Sequence, residues 1–212
     1  MKALILVDVQ NDFLPGGALA VPHGDEVIEV ANRAQDNFDL IVATQDWHPK
    51  NHASFAANHP GKKPFDVIEL DGLQQVLWPV HCVQKTPGAE LASKLSTKRI
   101  SRVFQKGTDP HIDSYSGFFD NGHRKSTGMG DYLRERGVRQ IYLLGLATDY
   151  CVKFTALDAR QLGFETFLLE DGCRGIDAKT TADAIEQMQN AGVKIVKSTE
   201  LMNNDETRIT NQ

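Results

Sequence analysis

Apolar residues gather into six short runs, Ala3–Val9, Leu40–Gln45, Arg102–Gln105, Gln140–Leu146, Thr166–Leu169 and Val193–Val196. Several are apolar throughout rather than alternating, which is the pattern of strands covered on both faces in a parallel sheet. Helical spacing fills the intervals. Asp25–Asn37 carries Val27, Ile28, Val30, Ala31 and Ala34 on one stripe, and Val152–Leu162 carries Ala156, Leu157, Ala159 and Leu162. Gly130–Gly137 and Thr180–Ala191 are similar, and a glycine closes three of the four patterns (Gly137, Gly163, Gly192), as expected just past a helix C-terminus. Strands alternating with helices predict an α/β protein: a three-layer α/β/α sandwich on a mainly parallel six-stranded sheet with right-handed crossovers.

Two stretches, 47–87 and 107–128, hold no sustained period. They contain histidine, proline, glycine and aromatic residues, and are too aromatic to read as disordered. Long loops of this kind inside a compact domain are usually functional. With no internal repeat or linker, residues 1–212 are expected to form one domain, with these as its active-site loops and a frayed polar tail from Asn203 to Gln212.

Composition narrows the function. The chain has 23 basic and 28 acidic residues, a net charge of −5, which disfavours nucleic acid as the main partner. No apolar run approaches the roughly 20 residues of a membrane span. The apolar start before Asp8 is too short for a secretory signal. Three widely spaced cysteines make no disulfide framework, so the expected compartment is the cytoplasm.

Sites in open α/β sheets lie beyond the carboxyl ends of the strands. Asp8 follows the first run, Asp46-Trp47-His48 the second, Lys106-Gly107 the third, and Gly145-Leu146-Ala147-Thr148-Asp149-Tyr150-Cys151 the fourth. A lone cysteine is more often a buried structural one, but this one falls where a helix begins. Backbone N–H groups there favour a thiolate and can serve as an oxyanion hole. A nearby ammonium such as Lys106 would lower the thiol pKa further, and a carboxylate such as Asp8 could accept the proton. Asp46-x-His48-x3-His52 has the donor types of a site for Zn, Fe or Mn, with His81 as the fourth candidate ligand. His23, His59, His111 and His123 read as loop histidines, and Cys82 and Cys173 as structural cysteines. Phe13, Trp47, Trp78 and Tyr115 could wall a flat aromatic ligand.

The stretches ALILVDVQNDFLPGGALAV, ATQDWHPKNHASF, WPVHCVQKTPGAEL, FQKGTDPHIDSYSGFFD and GLATDYCVKFTALDA together resemble the nicotinamidase/pyrazinamidase group of the isochorismatase-like cysteine hydrolases, over nearly the whole chain. The resemblance implies the isochorismatase-like, Rossmann-like hydrolase fold and a catalytic triad of Asp8, Lys106 and Cys151. It implies a cis peptide at Leu146-Ala147, with the N–H groups of Ala147 and Cys151 forming the oxyanion hole. It implies one divalent metal ion, zinc first and iron or manganese next, on Asp46, His48, His52 and His81, and substrate walls at Phe13, Trp78 and Tyr115. The implied activity is hydrolysis of nicotinamide, and of pyrazinamide, in NAD salvage, by a monomer or small homo-oligomer. Two alternatives stay open here: a metal-free amidase or ureido-hydrolase of the same superfamily, and a non-catalytic metal- or pyridine-binding protein on the same scaffold.

Overall fold

The computed structural model describes residues 1–201; the polar tail from Asn203 lies outside them. In chain order the elements are β1 (Lys2–Val7), α1 (Glu26–Ala34), β2 (Leu40–Asp46), β3 (Val67–Leu70), β4 (Leu73–Val76), β5 (Ile100–Lys106), α2 (Met129–Glu135), β6 (Gln140–Leu146), α3 (Lys153–Gln161), β7 (Glu165–Arg174), α4 (Ala178–Asn190) and β8 (Lys194–Val196). Six strands form one sheet in the order β5-β2-β1-β6-β7-β8, and every neighbouring pair is parallel.

The apolar runs explain the order. β1 and β6 are buried almost end to end and form the centre, where helices cover both faces. β5 is an edge strand with Ser101, Arg102, Val103 and Gln105 exposed, which is why its run is the least apolar. Crossovers from β1 to β2 and from β2 to β5 run toward one edge, and those from β5 through β8 toward the other. Right-handed connections therefore put α1 on one face and α2, α3 and α4 on the opposite face. The direction reverses between β1 and β6, which opens a crevice at their carboxyl ends.

The structure departs from the sequence reading in three places. β7 continues past Leu169 to Arg174 through a register shift against β6 between Leu143 and Gly145. The helix predicted from Val152 begins at Lys153, after a π-helical turn over Thr148–Val152. The stretch 47–87 also contains the antiparallel hairpin β3-β4. Its two-residue turn, Asp71-Gly72, has both φ values positive, at 51° and 80°, the geometry that closes a tight hairpin.

Candidate active site

Four parallel strand ends deliver the side chains. Asp8 follows β1 with φ 47°, a region non-glycine residues seldom occupy, and β2 holds it there. The Asp8 N–H donates to Thr44 Oγ1 at 3.2 Å, and the Thr44 hydroxyl donates to Asp8 Oδ1 at 2.6 Å. Lys106, the last residue of β5, is 1% exposed. Its Nζ lies 2.9 Å from Asp8 Oδ2 and 2.5 Å from Asp46 Oδ1, donates to the Ser114 carbonyl at 2.9 Å, and is 3.4 Å from Cys151 Sγ. A carboxylate oxygen of Asp8 is within 4.8 Å of Cys151 Sγ.

One buried cation thus faces two buried carboxylates and a thiol, and protonation follows from that. Burial works against charge on Lys106, but Asp46 and then Asp8 hold its pKa well above the usual lysine range. Burial raises the Asp8 carboxyl; Lys106 opposes that rise and Asp46 adds to it. Burial also pushes the Cys151 thiol well above its usual range, with Lys106 pulling the other way. Burial therefore favours the neutral thiol, and Asp8, the carboxylate expected from the sequence to accept its proton, lies beside it. The Leu146-Ala147 peptide is cis, and Ala147 and Cys151 both line the pocket.

Beside the thiol, Asp46 Oδ2 stands 3.5 Å from His48 Nε2 and 3.7 Å from His81 Nε2. Two ligands each about 2.1 Å from a tetrahedral ion are about 3.4 Å apart, so these separations suit a shared ion. The other ring nitrogens are tied back: His48 Nδ1 lies 2.9 Å from the Gly107 carbonyl and His81 Nδ1 2.8 Å from the Pro79 carbonyl. Nδ1–H donation there leaves each Nε2 lone pair for a metal. Gly107 is required for this packing, because a Cβ at that position would lie 2.3 Å from the His48 ring. Burial works to raise the Asp46 carboxyl, but Lys106 and then His48 hold it well below its usual range.

His52 stands apart from this trio. Its ring centroid is 4.3 Å from that of His48, but it falls with His48 and Asp113 rather than with Asp46 and His81. The Ser54 N–H donates to His52 Nδ1 at 3.2 Å, Ser54 Oγ lies 2.7 Å from the same nitrogen, and Nε2 lies 3.3 Å from the Ile112 carbonyl, so protein groups engage both ring nitrogens. Burial brings its pKa down to about 4, so the ring is neutral.

A pocket open to solvent at its mouth leads to the thiol. Phe13, Trp78 and Tyr115 line it, as do Asp46, His48 and His81. Trp47 and His52 are not among its lining residues. Trp78 meets Tyr150 edge-on at 4.8 Å, and its indole N–H donates to the Tyr115 hydroxyl at 3.3 Å. A flat ring could lie between these walls with its substituent over the sulfur.

A sequence model of the isochorismatase domain matches residues 2–200. The chain belongs to the isochorismatase family. A curated relative within it, the nicotinamidase of Escherichia coli (strain K12), is 50% identical over 92% of this chain and 93% of its own length. A solved nicotinamidase pyrazinamidase of Acinetobacter baumanii is also 50% identical, with a TM-score of 0.92 over 94% of this chain and 97% of that one. The pyrazinamidase of Pyrococcus horikoshii, solved in complex with zinc, is 42% identical, with a TM-score of 0.77 over 92% of this chain and 98% of that one.

Several residues of this isochorismatase-family site were not singled out from the sequence. Leu19, Asp113, Tyr150 and Ile176 also line the pocket. Thr44 orients Asp8. Gln10 ties strand ends together, accepting from the Asp46 N–H at 2.8 Å and donating to the Asp46 and Ala89 carbonyls at 2.8 and 2.9 Å. Gln10, Leu19, Thr44, Asp113 and Tyr150 fall inside the quoted motifs, so position was the available signal. Ile176 is an apolar residue outside those motifs and carried none.

Proposed function

We propose that the protein is a nicotinamidase: it hydrolyses nicotinamide to nicotinate and ammonia through a cysteine thioester, accepts pyrazinamide, and serves the salvage of NAD in the cytoplasm. The carrying observation is the contact of Asp8, Lys106 and Cys151 at the base of an aromatic-walled pocket that also holds the Asp46/His48/His81 group. The nicotinamidase relatives at 50% identity support the substrate. The three unpaired, buried cysteines support a reducing compartment. Among the described residues, no helix is long and apolar enough to cross a membrane.

The resting thiol calls for a base, and Asp8 is the group positioned for it. Asp8 takes the Cys151 proton as the sulfur attacks the amide carbon. Lys106 keeps its proton and balances the charge shared by Asp8 and the sulfur. The tetrahedral oxyanion is held by the N–H groups of Ala147 and Cys151, each donor worth roughly 3 kcal/mol. Asp8 passes its proton to the leaving nitrogen, ammonia departs, and the acyl group stays on sulfur. Asp8 next deprotonates water, which adds to the thioester carbonyl. Collapse expels the sulfur, which recovers its proton from Asp8 and releases nicotinate. Phe13, Trp78 and Tyr115 hold the ring.

Asp46, His48 and His81 fit one divalent ion by donor type and spacing. Zinc is the ion we assign, with iron and manganese compatible with the same donors. His52 supports the His48 ring from outside that set. When bound, the ion supplies a Lewis-acidic point for the ring nitrogen, which fixes the amide over the sulfur.

The test is ammonia release from nicotinamide by wild type and Cys151→Ala, with metal content measured on both. Release by wild type alone, with metal retained in both, is the expected outcome. Release by the variant, or none from metal-loaded wild type, rejects the reading. Benzamide, which lacks the ring nitrogen, should be a poor substrate; turnover equal to nicotinamide would remove the nitrogen–metal contact.

A further inference from the structure

Asp149 lies two residues before Cys151, yet it is not among the residues lining the pocket. Its side chain is buried and turns toward the connection between β7 and α4. Asp149 Oδ1 accepts from the Ile176 N–H at 3.1 Å, and Oδ2 accepts from the Asp177 N–H at 3.3 Å and the Thr180 hydroxyl at 2.6 Å. Three donors thus converge on one carboxylate of the Cys151 turn, two from the segment joining β7 to α4 and one from the first turn of α4.

That segment is a short strap, Gly175–Asp177, between the end of β7 at Arg174 and the start of α4 at Ala178. It runs tightly against its surroundings. A Cβ on Gly175 would lie 1.8 Å from Thr181 Oγ1 and 3.3 Å from Asp149 Oδ1. Asp177 caps α4, its Oδ1 accepting from the Lys179 and Thr180 N–H groups at 2.9 and 3.0 Å. Ile176, between these anchored residues, lines the pocket. It is an apolar wall among the aromatic ones, and its backbone position is fixed by a carboxylate on the π-helical turn that carries the nucleophile.

We propose that Ile176 determines which ring substituents the pocket admits and that Asp149 is its positioning residue, so that the nucleophile turn and the specificity wall move as one piece. The inference rests on the amidase reading of this pocket. In that reading the ring must sit at a fixed distance from the sulfur, and a wall tied to the sulfur's own turn keeps that distance constant. Asp149 would then act on substrate binding and not on proton transfer.

The experiment measures kcat and KM for nicotinamide and for ring-methylated nicotinamides with wild type, Ile176→Ala, Asp149→Asn and the double variant. Nicotinate affinity is followed in parallel by quenching of tryptophan fluorescence. Asp149→Asn keeps the shape but removes the charge and, in either orientation, presents its NH2 group to at least one of the three donors. It is expected to raise KM for nicotinamide about tenfold, the worth of a lost charged hydrogen bond, with a much smaller change in kcat. Ile176→Ala should raise the preference for methylated rings over nicotinamide, and Asp149→Asn should move it the same way. The double variant should match Ile176→Ala alone, because one change acts through the other.

A fall in kcat with KM unchanged, or additive effects in the double variant, would overturn the proposal. If Asp149→Asn does not fold, Thr180→Val removes a single donor and should give a smaller KM rise, with Thr180→Ser restoring wild-type values; equal behaviour of the two Thr180 variants would also overturn it. An inert wild type would reject the amidase reading, while nicotinate affinity across the variants would still report on the Asp149–Ile176 coupling.

Discussion

The buried ammonium of Lys106 organises the site residue by residue. It pairs with Asp8 and Asp46 at once, and both carboxylates are buried. Removing one member of such a group leaves uncompensated charge, which costs about 3–5 kcal/mol. Lys106→Met should therefore lose about that much in urea unfolding of the metal-free protein; a loss within the range of surface substitutions would mean that the charges are not held as described. Thr44 gives a second residue-scale prediction. Its hydroxyl donates to Asp8 Oδ1 and so favours the ionised base. Burial already raises the Asp8 pKa. Thr44→Val removes a hydrogen bond to the charged form, so the pKa rises further. A base works only when deprotonated, so the acid limb of kcat/KM should move to higher pH. A pH–rate profile with metal occupancy monitored checks this, and an unmoved limb would exclude Asp8 as the titrating base.

At the scale of elements, the hairpin β3-β4 contributes more to the pocket than its exposed strands suggest. Gln75 on β4 is 3% exposed, and its Nε2 lies 3.0 Å from Asp113 Oδ2 and 3.3 Å from the Tyr115 hydroxyl. Gln75→Ala leaves both pocket residues short of a donor and should cost about 1–3 kcal/mol as well as raise KM. Arg124 clamps the same hairpin at Asp71, but the pair is half exposed. Arg124→Ala should change stability by less than about 1 kcal/mol. Urea unfolding of the two variants side by side decides whether the hairpin is held from its buried face or its rim. The hairpin also marks the limit of sequence legibility. The six sheet strands and four helices were readable because burial repeats along them at local periods. Val67–Leu70 and Leu73–Val76 are four residues each and mostly half-buried or exposed, too short for a local period to stand out; only Asp71-Gly72 marked a turn. Asp8, Lys106, Cys151 and the Asp46/His48/His81 set were visible because each follows a strand or lies in a motif. His52 has the right spacing, yet Ser54 and the Ile112 carbonyl engage its nitrogens. The roles of Asp149 and Ile176 depend on a contact across 27 positions of chain, which no local pattern encodes.

Across the whole molecule, the site draws on four strands whose ends are far apart in sequence and adjacent only in the sheet. Asp8 comes from β1, Asp46 from β2, Lys106 from β5 and the nucleophile turn from β6. Asp46 and His48 are neighbours in the chain, but His81 meets them only in the fold, so an ion held by all three binds the folded state more tightly and stabilises it by mass action. At 100-fold excess over its dissociation constant an ion adds about 2.7 kcal/mol, and for a domain of this size each kcal/mol moves the melting temperature by about 2–4 °C. Chelator-treated protein should thus melt about 5–10 °C below the zinc-loaded form. Cys151→Ala should keep the whole shift, because the sulfur lies outside the ion's donor set, and Asp46→Asn should lose it. His52→Ala separates the two arrangements of the histidines. If His52 only supports the His48 ring, the shift shrinks but survives; if His52 is itself a ligand, the shift disappears as it does for Asp46→Asn. Calorimetry on these four proteins, with and without chelator, therefore locates the ion by its effect on the fold, independently of turnover.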